Sequence, residues 1–391
     1  MQYQGLVISV PKEIMPGEKR VAATPETVKK LVSQGATLLV EESAGLGSYF
    51  SDAEYVEAGA TIVGDVEELF SKANIIFKVK EPQFNHQVGK HEVDLMKAEQ
   101  VLITFLHPAA PANHEMIQNL TAKGVTALTL DGIPRISRAQ AMDALTSMST
   151  VAGYKSVLMA ANRVPKFLPM IGTAIGMMPP ANVTVLGAGV AGLQAIATAK
   201  RLGAVVYAAD IRPEAAEHAK SLGARIVETG VPAEIAIGEG GYAKALPQEW
   251  IVKEQTALYD TIINSDIVIA TALVPGRMAP TLITEEMVKA MKPGSAIVDV
   301  SIDQGGNCAL TVGGELIERH GISIDGTKNI PGMVATSATS MFSKNIVNFV
   351  ANIVKDGKII IDTNDEITDS TLVCQNGKLV HAGTREALGL N

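Results

Sequence analysis

The sequence predicts an α/β protein of two domains, each built on a parallel sheet, separated by a cleft and bridged by long helices. Three observations carry that expectation. Short runs rich in Val, Ile, Leu and Thr alternate with amphipathic stretches from Leu6 to Asp325, the pattern of strands covered by helices on both faces. The 391 residues are more than twice the roughly 150 of a typical domain. The 47% hydrophobic content supplies the cores that two such sheets need.

In chain order, Leu6–Val10, Thr37–Val40, Ile75–Val79, Val101–Phe105 and Thr126–Leu130 have the length of buried strands. Pro25–Gln34 reads as a helix opened by the capping sequence Thr24-Pro-Glu-Thr27. Ser137–Asn162 carries a helical pattern broken only by Gly153, the candidate interdomain helix. A second unit follows, with strands at Asn182–Leu186, Val205–Ala209, Arg225–Glu228, Asp266–Ala270, Ala296–Val300 and Gly321–Asp325, the number in a complete dinucleotide-binding sheet. Residues 229–254, with Gly238, Gly240 and Gly241, form an insertion far longer than the usual 2–6 residues of such junctions and read as a mobile loop. Ser340–Lys355 is an amphipathic helix, and Leu372–Val380 is centred on Asn376-Gly377, which suits a type I′ hairpin. This tail is too small to fold alone and is expected to return to the first domain. The first domain is therefore expected at 1–134 plus 330–391 and the second at 135–329.

Charge and composition narrow the partners. A net charge of −8 argues against nucleic acid and anionic lipid, which recruit Lys and Arg. Two cysteines, Cys308 and Cys374 without CxxC spacing, fit a reducing compartment and give no metal framework. The opening MQYQGLVISVPKE reads as a first strand and not a signal peptide. The most apolar run, Phe167–Met178, contains Pro169 and falls short of the roughly 18 residues that a spanning helix needs. A cytoplasmic protein is expected. No nucleophile elbow, P-loop or zinc motif is present.

Gly187-Ala188-Gly189-Val190-Ala-Gly192 follows a strand and opens a helix. The first glycine allows the tight turn, the second lets the backbone approach a pyrophosphate, and the third lets helix and strand pack closely. Asp210 ends the next strand 18 residues on, followed by Ile211 and Arg212. That lies near the roughly 20-residue spacing of a ribose-binding carboxylate, which makes the second domain a Rossmann domain that prefers NAD(H). Arg212 complicates this, because an Arg can accept a 2′-phosphate. Thr271-Ala272-Leu273 follows the fourth strand, at the edge where open sheets bind ligands. Arg135-Ile136-Ser137-Arg138, then Gln140, Asp143 and Thr146, concentrate polar groups. On one helix the last three share a face able to grip a carboxamide and a pyrophosphate. Arg20, Lys80 and His107 complete the candidates, Lys80 and His107 at neighbouring strand ends and His107 able to act as acid or base.

Together these segments resemble one superfamily, the alanine dehydrogenases and the NAD(H)-binding domain I of proton-translocating nicotinamide nucleotide transhydrogenase. Gly17-Glu-Lys-Arg-Val-Ala-Ala-Thr-Pro25, Val79-Lys-Glu-Pro82, the glycine turn with Gln194–Gly203, and Met291-Lys-Pro-Gly294 are similar to both branches. Arg135–Asp143 with Ala152-Gly-Tyr-Lys155, Gly240-Gly-Tyr-Ala-Lys244, Gly305-Gly-Asn-Cys308 and Phe342-Ser-Lys-Asn345 resemble the transhydrogenase branch. Ile302-Asp-Gln-Gly-Gly306 resembles the alanine dehydrogenase pattern, and Thr146 stands where the family often has Ser.

The resemblance implies two Rossmann-like domains and the soluble alpha subunit of a Re/Si-specific, proton-translocating NAD(P)+ transhydrogenase. NADH held here passes a hydride to NADP+ in the NADP(H) site of a partner subunit, and membrane-embedded subunits couple that step to proton movement. It further implies that Arg135, Gln140, Asp143 and Thr146 hold the nicotinamide end, that Tyr242 closes over the nucleotide, that the subunit is a homodimer, and that it reaches the inner membrane only through partners. The alternative it implies is an NAD-dependent alanine dehydrogenase using Arg20, Lys80, His107 and Asp303.

Overall fold

A computed structural model describes residues 1–390 except 239, 240, 242, 275 and 276. The chain divides into two compact units, Met1–Met148 with Gly332–Asn391, and Ser149–Pro331.

The large sheet of the first unit takes from this part of the chain β1 (Val7–Val10), β2 (Thr37–Glu41), β3 (Thr61–Val63), β4 (Ile75–Phe77), β5 (Val101–Thr104) and β6 (Thr126–Thr129). They pair in parallel. Strands β4, β5 and β6 are buried at every residue, as expected of strands covered on both faces. The predicted five appear within two residues of their expected ends; β3, three residues long, is too short to register as a run. Helix α1 (Pro25–Ser33) has the expected capping box, Thr24 and Thr27 each satisfying the other's backbone N–H, with Pro25 in the first turn.

The predicted single helix over 137–162 is two elements. Ser137–Met142 is a 3-10 turn, and α2 (Ala144–Ala161) starts after a break at Asp143, whose ψ of 86° is not helical. The Asp143 carboxylate accepts the Thr146 N–H at 2.7 Å and its hydroxyl at 2.6 Å, so it starts the helix instead of riding on it. Gln140 and Asp143 therefore do not share an α-helical face. Residues 135–148 also group with the first unit, where the sequence placed them in the second domain. The side chains of Asn345 and Asn348 both donate to the Ala141 carbonyl, and Arg138 pairs with Asp365.

The second unit carries β7 (Asn182–Leu186), β8 (Val205–Ala209), β9 (Arg225–Ile226), β10 (Ile267–Ala270), β11 (Ala296–Asp299), β12 (Leu316–Arg319) and β13 (Ile322–Asp325). Among the described residues its sheet order is β9-β8-β7-β10-β11-β13-β12, the doubly wound order with one added edge strand. That strand, β12, runs antiparallel to β13. It escapes sequence reading because three of its four residues are exposed, leaving no buried run. Helix α3 (Val190–Arg201) follows β7 and α4 (Gln248–Ile263) precedes β10. The long insertion thus ends at 247, seven residues before the predicted limit, and contains a short helix, Ala233–Ala236. The apolar run after α2 is an antiparallel ribbon, Ile171–Thr173 with Gly176–Met178, whose tip residue Ile175 is 93% exposed. No helix among the described residues is long and apolar enough to cross a membrane.

The tail groups with the first unit. Helix α5 (Ala335–Ile353) begins five residues earlier than predicted. Strand β14 (Leu372–Gln375) then pairs antiparallel with β6 and turns into β15 (Lys378–Leu379). Asn376 and Gly377 both have positive φ, 51° and 73°, as a type I′ turn requires. Among the described residues the first sheet is thereby eight-stranded, in the order β15-β14-β6-β5-β4-β1-β2-β3.

Candidate functional site

The glycine turn of the second unit fits a dinucleotide on three counts. Gly187 has φ 88°, and a Cβ there would lie 2.9 Å from the Ala272 backbone. At Gly192 a Cβ would meet the Gly187 carbonyl oxygen at 1.9 Å, so only glycine lets α3 close onto the turn. Gly189 is the opposite case, with no described atom within 4 Å of its Cβ position. No described side chain caps the α3 N-terminus at Gly189. An open space beside uncapped backbone N–H groups at a positive helix end is an anion receptor, matching a pyrophosphate.

Asp210 follows β8 and is held hard. One carboxylate oxygen accepts the Arg212 N–H at 2.8 Å and its Nε–H at 2.9 Å; the other accepts the Ala188 N–H and the Arg212 Nη2–H, both at 2.8 Å. On α4, Glu254 is only 5% exposed. Burial, with the Asp210 charge second, pushes its carboxyl up to about 7.

The Thr271–Leu273 turn braces the glycines from below. The Thr271 hydroxyl bonds the Leu186 carbonyl at 3.1 Å and the Gly187 carbonyl at 2.9 Å. Ala272 has both backbone groups tied to Asn307, its N–H donating to Oδ1 and its carbonyl accepting from Nδ2, each at 2.9 Å. The buried Asp299 fixes Asn307 in turn, accepting its N–H at 2.9 Å and the Cys308 N–H at 3.0 Å. These polar groups hold the turn in place behind the glycines. Sequence reading did not single out Asn307 or Asp299 as supports; the Gly305-Gly-Asn-Cys308 segment was the available signal.

In the first unit, Arg135, Ser137, Arg138 and Gln140 are exposed, and Ile136, Asp143 and Thr146 half-buried. Arg138 is paired with Asp365, a carboxylate that Asn352 and Thr368 also bond. Asp143→Ala removes the cap of α2 and is expected to lower stability by about 1 kcal/mol, read as a shift in urea midpoint at constant slope. Tyr242 lies outside the described residues.

Lys80 and His107 each stand at the third residue past their strands, β4 and β5, on one sheet edge. His107 Nδ1 lies 2.8 Å from Asp131, and its ring stacks on Phe105 at 5.9 Å. Burial opposes the charged ring, but the Asp131 carboxylate outweighs it and holds the pKa above the usual imidazole value. Lys78, fully buried, bonds Glu92 at 2.9 Å and lies 3.4 Å from Glu13, which accepts the Val79 N–H and so fixes the approach to Lys80. Arg20 is 3% exposed and doubly bonded to Glu18. Asp303, in the second unit, is exposed.

Comparison with known proteins accounts for both halves of the chain. Residues 9–152 match the family model "Alanine dehydrogenase/PNT, N-terminal domain" and residues 156–382 match "Alanine dehydrogenase/PNT, C-terminal domain". An NAD(P) transhydrogenase subunit alpha chain of Rhodospirillum rubrum is 44% identical, over 96% of this chain and 97% of that one. The crystal structure of transhydrogenase from Sinorhizobium meliloti superposes with a TM-score of 0.83 at 40% identity, over 96% of this chain and all of that chain. An L-alanine dehydrogenase structure gives 0.80 at 30% identity, over 98% and 99%. The chain belongs to the alanine dehydrogenase/PNT family, and among these relatives its higher identity lies with the transhydrogenase alpha subunits.

Proposed function

We propose that this chain is the NAD(H)-binding alpha subunit of a proton-translocating transhydrogenase, passing a hydride from NADH to NADP+ on a partner subunit, with membrane-embedded subunits coupling that step to proton movement. The observation that carries the reading is the turn around Gly189, open and uncapped, with Asp210 fixed beside it. The 44% identity to a transhydrogenase alpha subunit supports that branch of the family. When bound, the nicotinamide supplies the hydride chemistry.

The residues of this chain bind and orient. The uncapped N–H groups at the start of α3, beside Gly189, hold the pyrophosphate, Asp210 selects the ribose diol, and Arg135, Gln140, Asp143 and Thr146 hold the nicotinamide end. None of them transfers a proton in the hydride step; their contribution is positioning and exclusion of water. Tyr242 closes the site. Tyr242→Phe is expected to slow turnover while leaving the thermal midpoint unchanged, and an unaltered rate removes that role. A homodimer is supported by the exposed ribbon, where Ile175, Met177 and Met178 stand in solvent. The subunit sits in the cytoplasm, held at the inner membrane by its partners.

The His107–Asp131 pair beside Lys80 favours a second reading, NAD-dependent alanine dehydrogenase, in which Lys80 and Arg20 hold the carboxylate, His107 acts as acid or base and Asp303 assists. The test is absorbance at the NADH band after mixing the purified chain with L-alanine and NAD+. No NADH is expected; sustained formation overturns the transhydrogenase reading.

A further inference from the structure

We propose that Arg212 is a latent 2′-phosphate receptor held out of use by Asp210, so that the pair, and not the carboxylate alone, sets the choice between NAD(H) and NADP(H). The inference rests on the dinucleotide reading of the second unit and concerns only that site.

An ionised carboxylate offers about four lone-pair directions. At Asp210 all four are taken. One oxygen holds the Arg212 N–H and Nε–H, the other the Ala188 N–H and the Arg212 Nη2–H. The two bonds from backbone N–H groups are fixed by the turn and by the start of the helix Pro213–Ser221, for which Arg212 is the N-cap residue. The two from the guanidinium are the ones that can open. A ribose diol that bonds Asp210 therefore has to displace the guanidinium, and Arg212 competes with the ligand for the carboxylate.

The same geometry explains why the guanidinium does not recruit a 2′-phosphate. Its Nε and Nη2, the fork that suits a phosphate, are both spent on Asp210 at 2.8–2.9 Å, and the Asp210 and Arg212 side chains are 5% and 18% exposed. A 2′-phosphate would have to break this bidentate pair and then face the released carboxylate, with the buried Glu254 close enough to feel the Asp210 charge. Once Asp210 is replaced by a small neutral residue, the fork is free at the ribose position.

Equilibrium titration by nucleotide fluorescence with NADH and NADPH tests this on the wild type, Asp210→Ser, Arg212→Gln and the double variant, each checked for fold by circular dichroism. Asp210→Ser is expected to bind NADPH about tenfold more tightly than the wild type and NADH about tenfold less tightly, the size of one charge-assisted hydrogen bond. The double variant is expected to lose the NADPH gain. Arg212→Gln is expected to bind NADH at least as tightly as the wild type and to go on excluding NADPH, and this arm stands even if Asp210→Ser fails to fold. An Asp210→Ser protein without NADPH gain, a gain that survives in the double variant, or weaker NADH binding by Arg212→Gln overturns the proposal while the function above stands. A wild type that binds neither nucleotide overturns both.

Discussion

Gly153→Ala is expected to lower the thermal midpoint of the second unit by about 5–10 °C. An alanine in a helix interior ordinarily stabilises, by about 0.5–1 kcal/mol, because glycine loses more backbone freedom on folding. Here the sign reverses. A Cβ at position 153 would lie 2.0 Å from the Ala191 carbonyl oxygen, 2.8 Å from its carbon and 3.0 Å from its Cα. All three are backbone atoms of α3, so no rotamer change relieves the contact and the two helices have to part. Overpacking of this kind costs about 1–3 kcal/mol or more, which for a unit of this size corresponds to roughly 2–4 °C per kcal/mol. Ala191 also belongs to the first turn of α3, so NADH affinity is expected to fall with the midpoint. Scanning calorimetry on the wild type and variant checks it. An unchanged or raised midpoint would show that α2 and α3 do not touch at this point.

Glu254→Gln is expected to stabilise the protein by about 3 kcal/mol at pH 8 and by under about 1 kcal/mol at pH 5. Burial, then the Asp210 charge, raises the carboxyl from 4.5 to about 7 in the folded state. The sign follows from which state holds the proton. Below about 4.5 both states are protonated and burial carries no ionisation cost. Between 4.5 and 7 the unfolded chain releases the proton and the folded chain retains it, so stability falls as pH rises. Above 7 the full cost is present, and glutamine, neutral and of the same shape, removes it. Urea denaturation at the two pH values measures the difference; a gain that does not change with pH would show that Glu254 does not carry this strain.

Much of the fold is legible in the sequence because it rests on local rules. Asn182–Leu186 and Val205–Ala209 appear with the expected bounds, since each is a short run rich in β-branched and apolar residues closed by a turn signal, Gly187 after the first and Asp210 with Pro213 after the second. Asn376-Gly377 dictates its hairpin through two positive φ angles. What stayed hidden depends on partners far along the chain or on one spacing with two meanings. Asp143 and Thr146, three apart, read equally as neighbours on a helix face or as a cap and its third residue; the structure takes the second. Gly153 looked like a gap in a helical pattern because its partner, the Ala191 carbonyl, is remote in sequence. Glu254 fell inside a predicted loop, so its burial on α4 had no signal. For the candidate site, the glycine turn and Asp210 were visible as residue types at fixed offsets, whereas the closure of Arg212 onto Asp210 and the grip of Asn307 on Ala272 are matters of side-chain direction that spacing does not encode.

The proposed function turns on where the hydride of NADH goes. The decisive experiment mixes this chain, loaded with NADH, with the cognate NADP(H)-binding subunit and a chromophoric NADP+ analogue, and follows both nucleotides by absorbance. NADH oxidation is expected to be matched mole for mole by reduction of the analogue, with neither protein active alone. Absence of transfer with a partner shown to bind the analogue, together with NADH formation from L-alanine by this chain alone, would overturn the transhydrogenase assignment.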